Sequence, residues 1–333
     1  MTTVLKHDAH DAQTGLVAGR FHFRRLDPAA DVPRLTRFLN EMEAIDQIDR
    51  STTEERERDN LQEPPYDAAQ DGWVVEEPGH SDRLIAQNYV YKVLNSPRAL
   101  VYVEVHPAWR RQGLGQELLA RSLARAREQG NHYVFSVADD GLPGSETFLL
   151  QHGFRRVVNW VLMRCPGETA LAAPAWPAGY TLRTYTEVPD VRTVATALNR
   201  GFIGHWENRE RSLEEIAHRL HGPGVYPDGI FLAFGPAGDI AGICWADYDG
   251  ARNAQMGEAV GHIASLGVVP EHRRHGLGRA LLLTGLHWLR AQGMAAIALD
   301  AMGNNELALP LYDDVGFHIR RQGGEYRLDL LGT

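Results

Sequence analysis

Cysteine is scarce in this chain, which has only Cys165 and Cys244 among its 333 residues. Two cysteines so far apart provide neither a disulfide framework nor the ligand spacing of a metal site, so we expect two ordinary thiols and no bound metal. Apolar runs are also short: none approaches the roughly 20 residues of a membrane span, and residues 1–15 lack the apolar core of a signal peptide. These absences predict a cytoplasmic protein that has no membrane partner.

Basic residues are in the minority, with 34 Lys and Arg against 43 Asp and Glu. The formal net charge of −9 argues against a general nucleic-acid-binding protein, because nucleic-acid backbones are bound by basic faces. The length is comfortable for two domains, and a hydrophobic content of 44% gives each of them a sizeable core. We therefore expect two compact domains and no nucleic-acid partner.

The most informative stretch is SLGVVPEHRRHGLGRALLLTGLHWLRAQG, residues 265–293. Its apolar start predicts a strand closed by Pro270, and the spacing of Leu277, Leu281 and Trp288 predicts a helix. The turn between them is rich in arginine and glycine. Glycines let the backbone turn tightly, and the N terminus of the helix adds a partial positive charge. This combination is an anion cradle suited to a pyrophosphate.

The same stretch occurs twice in the chain. An offset of 163 positions pairs Pro107 with Pro270, Arg110 with Arg273, Arg111 with Arg274, Gly113 with Gly276, and Gly115 with Gly278. A period this long exceeds any solenoid repeat and indicates a duplicated domain. We assign residues 1–20 to an N-terminal extension, 21–165 to a first domain, 166–179 to a linker rich in proline and alanine, and 180–333 to a second domain.

The second half contains, in order, a strand, an R-x-x-G-x-G turn, a helix and a further strand. The motif N-x-x-x-L-x-x-Y-x-x-x-G-F follows them, and it is carried by Asn305, Leu309, Tyr312 and Gly316-Phe317. This series resembles the GNAT superfamily of N-acetyltransferases, and the resemblance covers both halves. The second half is similar to the mycothiol synthases in particular, over residues 228–248 and 261–289.

The resemblance implies an α/β fold with two tandem domains, each a mixed, mostly antiparallel sheet with helices on both faces. It also implies that acetyl-CoA is the co-substrate and lies where two central parallel strands splay apart. In the second half these strands are residues 262–269 and 295–301, and in the first half they are residues 99–105 and 132–138. In the family, a backbone N–H of the splayed strand polarises the thioester carbonyl.

Residues that match the family's acetyl-CoA site occur in both halves. In the second half they are Leu266, Gly267, Val268, Arg273, Arg274, His275, Gly276, Leu277, Gly278, Arg279 and Asn305. In the first half they are Val103, Val105, Arg110, Arg111, Gln112, Gly113, Leu114, Gly115 and Gln116.

Acetyl transfer to an amine also needs a base, because an ammonium with a pKa of about 8 to 10.4 must lose a proton before it attacks. By our alignment, His262 stands where mycothiol synthases carry a glutamate, and a histidine with a pKa of about 6.5 is able to act as a base. His262 is therefore our candidate. Glu258 acting through a water is an alternative, as is a purely structural role for His262.

Tyr312 occupies the family's acid position and would protonate the leaving CoA thiolate, since a free thiol has a pKa of about 8.5. The alternative for Tyr312 is a core aromatic residue. A helix is predicted over residues 304–315, with Asn305 on the same face as Tyr312 and with Pro310 kinking the helix.

Three positions with chemical roles are apolar in the first half: Leu149 replaces Tyr312, Leu142 replaces Asn305, and Ala99 replaces His262. We therefore expect the first domain to keep its phosphate loop but to catalyse little. The leading hypothesis is an N-acetyltransferase, monomeric or homodimeric, that acetylates a small-molecule amine through its second domain. The alternatives are a non-catalytic acyl-CoA sensor or scaffold and, less favoured, an aminoacyl transferase of Fem type. By position alone, candidates for acceptor binding are His205, Trp206, Glu207, His218 and Trp245.

Overall fold

The computed structural model describes residues 19–47, 49, 51–142, 144–206, 208–302, 305 and 308–330. Within these ranges the chain forms two compact units. The first comprises residues 19–137, 148–155 and 326–330, and the second comprises residues 138–147 and 156–325. Nearly all of the predicted N-terminal extension lies outside the described residues.

The sheet of the first unit follows the chain order. Its strands are His22–Arg25 (β1), Gly72–Glu77 (β2), His80–Lys92 (β3), Arg98–Val105 (β4) and Tyr133–Asp139 (β5, as far as Val137). Neighbouring strands are antiparallel except β4 and β5, which are parallel. The helices are Val32–Asp46 (α1), Glu54–Asn60 (α2), Ala68–Asp71 (α3), Leu114–Glu128 (α4) and Ser145–Gln151 (α5, from Phe148).

The sheet of the second unit has the order β6-β11-β10-β9-β8-β7. Its strands are Arg155–Pro166 (β6), Thr181–Thr184 (β7), Ile230–Phe234 (β8), Ile240–Asp247 (β9), Val260–Val268 (β10) and Ala296–Met302 (β11); a last strand, His318–Asp329 (β12), counts with this unit as far as Glu325. Only β10 and β11 are parallel among the neighbours β6 to β11.

The helices of the second unit are Val191–Gly201 (α6), Leu213–Leu220 (α7), Gly250–Met256 (α8), Leu277–Ala291 (α9) and Leu309–Asp314 (α10). Among the helices described in the two units, none has the length and apolar content needed to cross a bilayer.

Successive side chains of β9 and β10 point to opposite faces of the sheet of the second unit, and both faces are buried. Cys244 and Ile263 point to one face and form a core with the leucines of α9, of which Leu281 and Leu286 are fully buried. Ile243 points to the other face, where it packs with α6 and α7. Each buried leucine contributes about 1.5–3 kcal/mol of transfer free energy. This arrangement, a mostly antiparallel sheet between helices, confirms the predicted fold class.

β6 lies in the second unit although it precedes the linker in the sequence. It pairs antiparallel with β11, from Pro166 opposite Ala296 to Trp160 opposite Met302. Conversely, the last described residues of the chain count with the first unit, where the Leu330 N–H donates to the carbonyl of His132 at 2.8 Å. Each compact unit thus includes a segment from the other half of the sequence. The domain boundaries drawn from the sequence repeat stay a prediction.

Candidate active site

The centre of the second unit is the point where two parallel strands separate. β10 and β11 pair at three positions, the last of which sets His262 beside Ala298. Beyond His262, β10 keeps its antiparallel partner β9 as far as Val268, but no further β10–β11 pair occurs among the described residues. From residue 263 onward β10 therefore has no β11 partner among the described residues, at the place where the sequence predicts the splay.

The loop after β10 has an unusual backbone that recurs in both units. Arg274 (φ 68°) and Gly276 (φ 82°) are left-handed, and Arg111 (φ 63°) and Gly113 (φ 87°) repeat the pattern in the first unit. A left-handed non-glycine residue costs about 1–2 kcal/mol. Because both loops contain such a residue at the same place, the duplicated sequence specifies a duplicated backbone.

The side chain of the first arginine of each loop is bonded to neighbouring parts of its own unit. Arg273 Nε donates to the Val268 carbonyl at 2.9 Å, and its Nη2 donates to the carbonyls of Gly201 (3.2 Å) and Ile203 (2.7 Å). In the first unit, Arg110 Nε donates to the carbonyl of Val105 at 3.0 Å, and its guanidinium pairs with Asp46. These side chains brace the loop, so any contribution of Arg273 to a phosphate would come through the backbone.

The outer surface of the second loop is open and cationic. Arg274 and His275 are exposed, and no partner for the Arg274 side chain occurs in the described part of the chain. Arg279 pairs with Asp314 on α10. A Cβ added at Gly276 would meet no atom within 4 Å. An open backbone turn at a helix N terminus, beside an available guanidinium, fits the pyrophosphate of acetyl-CoA.

His262 lies between two carboxylates contributed by the neighbouring strands. Its Nε2 is 3.2 Å from Asp300 Oδ2 on β11, and Asp247 is its register partner on β9. Burial favours neutral imidazole, but the hydrogen bond with Asp300 and the negative charge of Asp247 outweigh it, and the pKa of His262 is raised. Glu258, the rival base, is ion-paired with Arg164.

Tyr312 is a buried residue of α10 that packs edge-on against Phe317, with ring centroids 6.0 Å apart. Burial, with a smaller contribution from Cys244, raises the pKa of Tyr312 to about 12. The described residues offer no hydrogen-bond partner to its hydroxyl. Tyr312 is thus both a core aromatic and a protonated phenol whose donor is uncommitted within the described structure.

Neither cysteine has the character of a nucleophile. Cys244 is completely buried, and this burial raises the pKa of its thiol to about 12. Burial also raises the pKa of Cys165. Because the thiolate is the reactive form, both residues are inert thiols at neutral pH.

The predicted helix over residues 304–315 is wrong in length, because α10 begins only at Leu309. Pro310 therefore lies in the first turn, where its missing N–H is not needed, and it does not kink the helix as expected. Asn305 precedes the helix instead of sharing a helical face with Tyr312. Its Oδ1 and carbonyl both accept from the Ala308 N–H, at 3.2 and 3.1 Å.

The sequence missed a residue that lies beside the bulge of β10. Arg219 on α7 stacks over the Trp245 ring at 4.5 Å and donates to the Ala264 carbonyl and to Ser265 Oγ, both at 3.3 Å. The register of β10 against β9 shifts between Ile263 and Ser265. Arg219 thus ties the helix layer to the bulge, a long-range contact that no local pattern reveals.

The predicted acceptor-binding residues occupy different environments. Trp245 is completely buried in the core of the second unit. Trp206 Nε1 donates to Glu325 Oε2 at 2.7 Å, and burial lowers the pKa of His205. His218 lies on α7, next to Arg219. Glu207 is outside the described residues.

The first unit keeps the splay but not the polar cluster. β4 and β5 pair at three positions that end at Leu100 beside Phe135. Ala99 takes the place of His262, and its register partner on β3 is Lys92 where the second unit has Asp247. Leu149, in place of Tyr312, is buried. No group equivalent to the base or acid candidates remains at these positions.

Comparison with known proteins identifies relatives of both halves. Residues 39–154 and 193–317 match the family model of the acetyltransferase (GNAT) family. The mycothiol acetyltransferase of Thermobispora bispora is 35% identical over 213 residues, which cover 64% of this chain and 70% of that protein. The mycothiol acetyltransferase of Salinispora arenicola is 31% identical over 299 residues, which cover 88% and 91%.

Solved structures share the fold over nearly the whole chain. A GCN5-related N-acetyltransferase from Sphaerobacter thermophilus has a TM-score of 0.74 at 22% identity and covers 94% of this chain and 96% of its own. A tandem GNAT protein from the clavulanic acid biosynthesis pathway has a TM-score of 0.72 at 20% identity, with coverages of 94% and 99%. These similarities confirm the tandem architecture that the sequence repeat predicts.

Proposed function

The chain belongs to the GNAT acetyltransferase family, and from this premise we propose that its second half transfers the acetyl group of acetyl-CoA to a primary amine of a small molecule. One observation carries the proposal. The strand splay and the phosphate loop occur in both units, but within the described residues only the second unit has a histidine, His262, between two carboxylates and a buried tyrosine on the following helix.

His262 is the proposed base. An ammonium must lose one proton before its nitrogen can attack the thioester carbonyl. The raised pKa of His262 makes its imidazole a stronger base than an ordinary histidine. The carboxylates of Asp300 and Asp247 then stabilise the imidazolium that forms.

Tyr312 is the proposed donor to the sulfur. In the reaction, the amine nitrogen bonds to the carbonyl carbon and the carbon–sulfur bond breaks, which leaves negative charge on sulfur. The pKa of Tyr312, about 12, exceeds the value of about 8.5 for a free thiol. Tyr312 therefore stays protonated and stabilises the departing sulfur by hydrogen bonding, while solvent completes its protonation.

Direct transfer is favoured over an acyl-enzyme route, because both cysteines are buried thiols with raised pKa values. The phosphate loop holds the co-substrate through the backbone of residues 274–279 and the cation of Arg274. Beyond His262, the backbone of β10 is the proposed contact for the pantetheine arm and the thioester carbonyl, apart from the Ala264 and Val268 carbonyls, which accept from Arg219 and Arg273.

A cationic acceptor suits the cluster. Asp247 and Asp300 place negative charge beside the base, and an ammonium is attracted to such a site. Amines that carry a cysteinyl group are the first to test, because two of the relatives are named mycothiol acetyltransferase. Other small amines follow, including aminoglycosides, polyamines and amino acids.

The experiment is a thiol-release assay with acetyl-CoA across this amine panel, using two matched variants. Gly276→Glu and Gly113→Glu impose the same strain, because both glycines are left-handed helix N-caps, and each places a negative side chain in one loop. We expect acetylation to be lost in Gly276→Glu and to persist in Gly113→Glu. The reverse result would assign the chemistry to the first unit, and CoA binding without turnover on any amine would favour the sensor alternative.

A further inference from the structure

The residue just before the phosphate loop of the second unit is a buried histidine with both ring nitrogens engaged. His272 is 8% exposed, and its Nε2 lies 2.9 Å from Asp239 Oδ2. Its Nδ1 lies 3.0 Å from the hydroxyl oxygen of Tyr180. The imidazole also fits closely over Gly235, where an added Cβ would lie 2.6 Å from its Cε1.

The protonation pattern of this triad follows from its chemistry. A carboxylate only accepts hydrogen bonds, so Nε2 carries the proton that is donated to Asp239. In the neutral ring Nδ1 is then an acceptor, and the Tyr180 hydroxyl donates to it. The hydrogen bond from His272 lowers the pKa of Asp239, which keeps the acceptor ionised. All three groups are matched without a water or a ligand.

The triad connects three segments that are distant in the sequence. Tyr180 immediately precedes β7, Asp239 ends the turn between β8 and β9, and His272 ends the short turn Pro270–His272 that leads into the loop. The next residue, Arg273, donates hydrogen bonds to the carbonyls of Val268 at the end of β10 and Gly201 at the end of α6. The start of the loop is thus fixed by two consecutive side chains.

The first unit has the same brace in an apolar form. Trp109 occupies the position of His272, and it packs edge-on against Phe21, which immediately precedes β1 as Tyr180 precedes β7. The ring centroids are 6.0 Å apart at 84° in the first unit, and 5.6 Å apart at 85° for Tyr180 and His272. The geometry is therefore kept while the chemistry differs.

We propose that His272, held by Tyr180 and Asp239, is a positioning residue that fixes the phosphate loop of the second unit for CoA binding. The left-handed Arg274 lies two residues beyond it, and a strained conformation persists only where its surroundings hold it. A loop that is fixed in advance loses less entropy when it binds its ligand. This inference rests on the proposed function, because it concerns the same co-substrate site.

The test uses the full-length chain in the Gly113→Glu background, so that only the second loop binds CoA. Tyr180→Phe keeps the ring and removes one hydrogen bond, and Asp239→Ala removes the other. Each is expected to raise the CoA dissociation constant and the acetyl-CoA KM by about three- to tenfold, the factor of one net hydrogen bond. The amine KM should stay unchanged, and hydrogen exchange should rise at the amides of residues 273–279.

Three further variants sharpen the result. Asp239→Asn keeps an acceptor for Nε2 and should restore most of the binding lost in Asp239→Ala. The pair Tyr180→Phe with His272→Trp rebuilds the first unit's brace and should bind CoA better than Tyr180→Phe alone. Tyr91→Phe is the matched control, because it removes a hydroxyl that donates to the Pro64 carbonyl in the first unit. It should leave CoA binding unchanged.

The outcomes separate the two proposals. If the Gly113→Glu parent binds CoA and both Tyr180→Phe and Asp239→Ala bind it equally well, the brace has no positioning role and the inference is overturned alone. Equal increases in the KM of acetyl-CoA and of the amine would also overturn it, since they indicate a general loss of structure. A wild-type protein that binds no CoA overturns the proposed function together with the inference.

Discussion

His262 Nε2 lies 3.2 Å from Asp300 Oδ2, across the point at which β10 and β11 stop pairing. The contact joins His262, the last residue of β10 that pairs with β11, to Asp300, which lies on β11 just beyond the last paired residue, Ala298. It gives the imidazole a carboxyl neighbour at the opening of the splay, where the proposed reaction would bring the amine to the thioester.

Replacing Asp300 should change the pH dependence of the reaction. Burial lowers the pKa of His262, while the hydrogen bond with Asp300 is the largest influence that raises it. Because the base acts in its neutral form, activity rises as the pH increases through this pKa. Asp300→Asn should therefore move the acidic limb of the kcat/KM profile to lower pH. His262→Ala should lower kcat by about 10²-fold or more and abolish that limb. An unchanged limb in both variants would remove His262 from the mechanism.

Removing the Tyr312 hydroxyl should slow the chemical step. Tyr312→Phe keeps the packing against Phe317 but loses the proposed donor to sulfur, so kcat should fall by about 10²-fold with little change in the KM of acetyl-CoA. The measurement is steady-state thiol release. Leu149→Ala, at the corresponding position of the first unit, is the control and should keep kcat. A Tyr312→Phe enzyme with full activity would leave Tyr312 as a core residue only.

The cysteines should be dispensable for catalysis. Cys244 and Cys165 are buried with raised pKa values, so Cys244→Ala and Cys165→Ala should each retain kcat. The loss of a buried sulfur at Cys244 should still lower the free energy of unfolding, by about 0.5–3 kcal/mol. Iodoacetamide at neutral pH should leave the native enzyme active. Rapid inactivation that acetyl-CoA prevents would contradict direct transfer.

The N terminus of α7 depends on a capping box. Ser212 Oγ accepts from the Glu215 N–H at 3.2 Å, and Glu215 Oε2 accepts from the Ser212 N–H at 2.8 Å. Ser212→Ala should destabilise the second unit by about 1 kcal/mol in thermal or denaturant unfolding. Because α7 also carries His218, a predicted acceptor-binding residue, a modest rise in the amine KM should accompany it. Ser81→Ala, at an exposed position of β3, should change neither quantity.

The features that the sequence predicted are those with local signatures. The apolar run of β10, the turn glycines and the leucine spacing of α9 all lie within about 30 residues, and the duplication showed the same pattern twice. Backbone preference explains the agreement: Gly113 and Gly276 adopt the left-handed conformation that glycine tolerates best. The capping box of Ser212 and Glu215 spans a single turn, so the start of α7 has a local signature of the same kind.

What the sequence did not reveal depends on register and on distant contacts. Asp300 reaches His262 only because of how β11 aligns with β10, and strand pairing is not encoded in either strand alone. The inward use of Arg273 could not be foreseen, since an arginine in a glycine-rich turn is equally typical of a phosphate ligand. The brace at His272 needs Tyr180 and Asp239, which lie 92 and 33 positions away.

The placement of β6 has a consequence for the order in which the protein folds. β6 ends at Pro166, and its partner β11 begins at Ala296, so about 130 residues separate the two strands in the chain. At a synthesis rate of about 5–20 residues per second, β6 leaves the ribosome roughly 6 to 26 seconds before β11. During that interval β6 lacks its partner β11, and the sheet of the second unit cannot close until β11 has emerged. The second unit therefore depends on a strand, β6, that is made with the first half of the sequence and completes its pairing only when β11 follows.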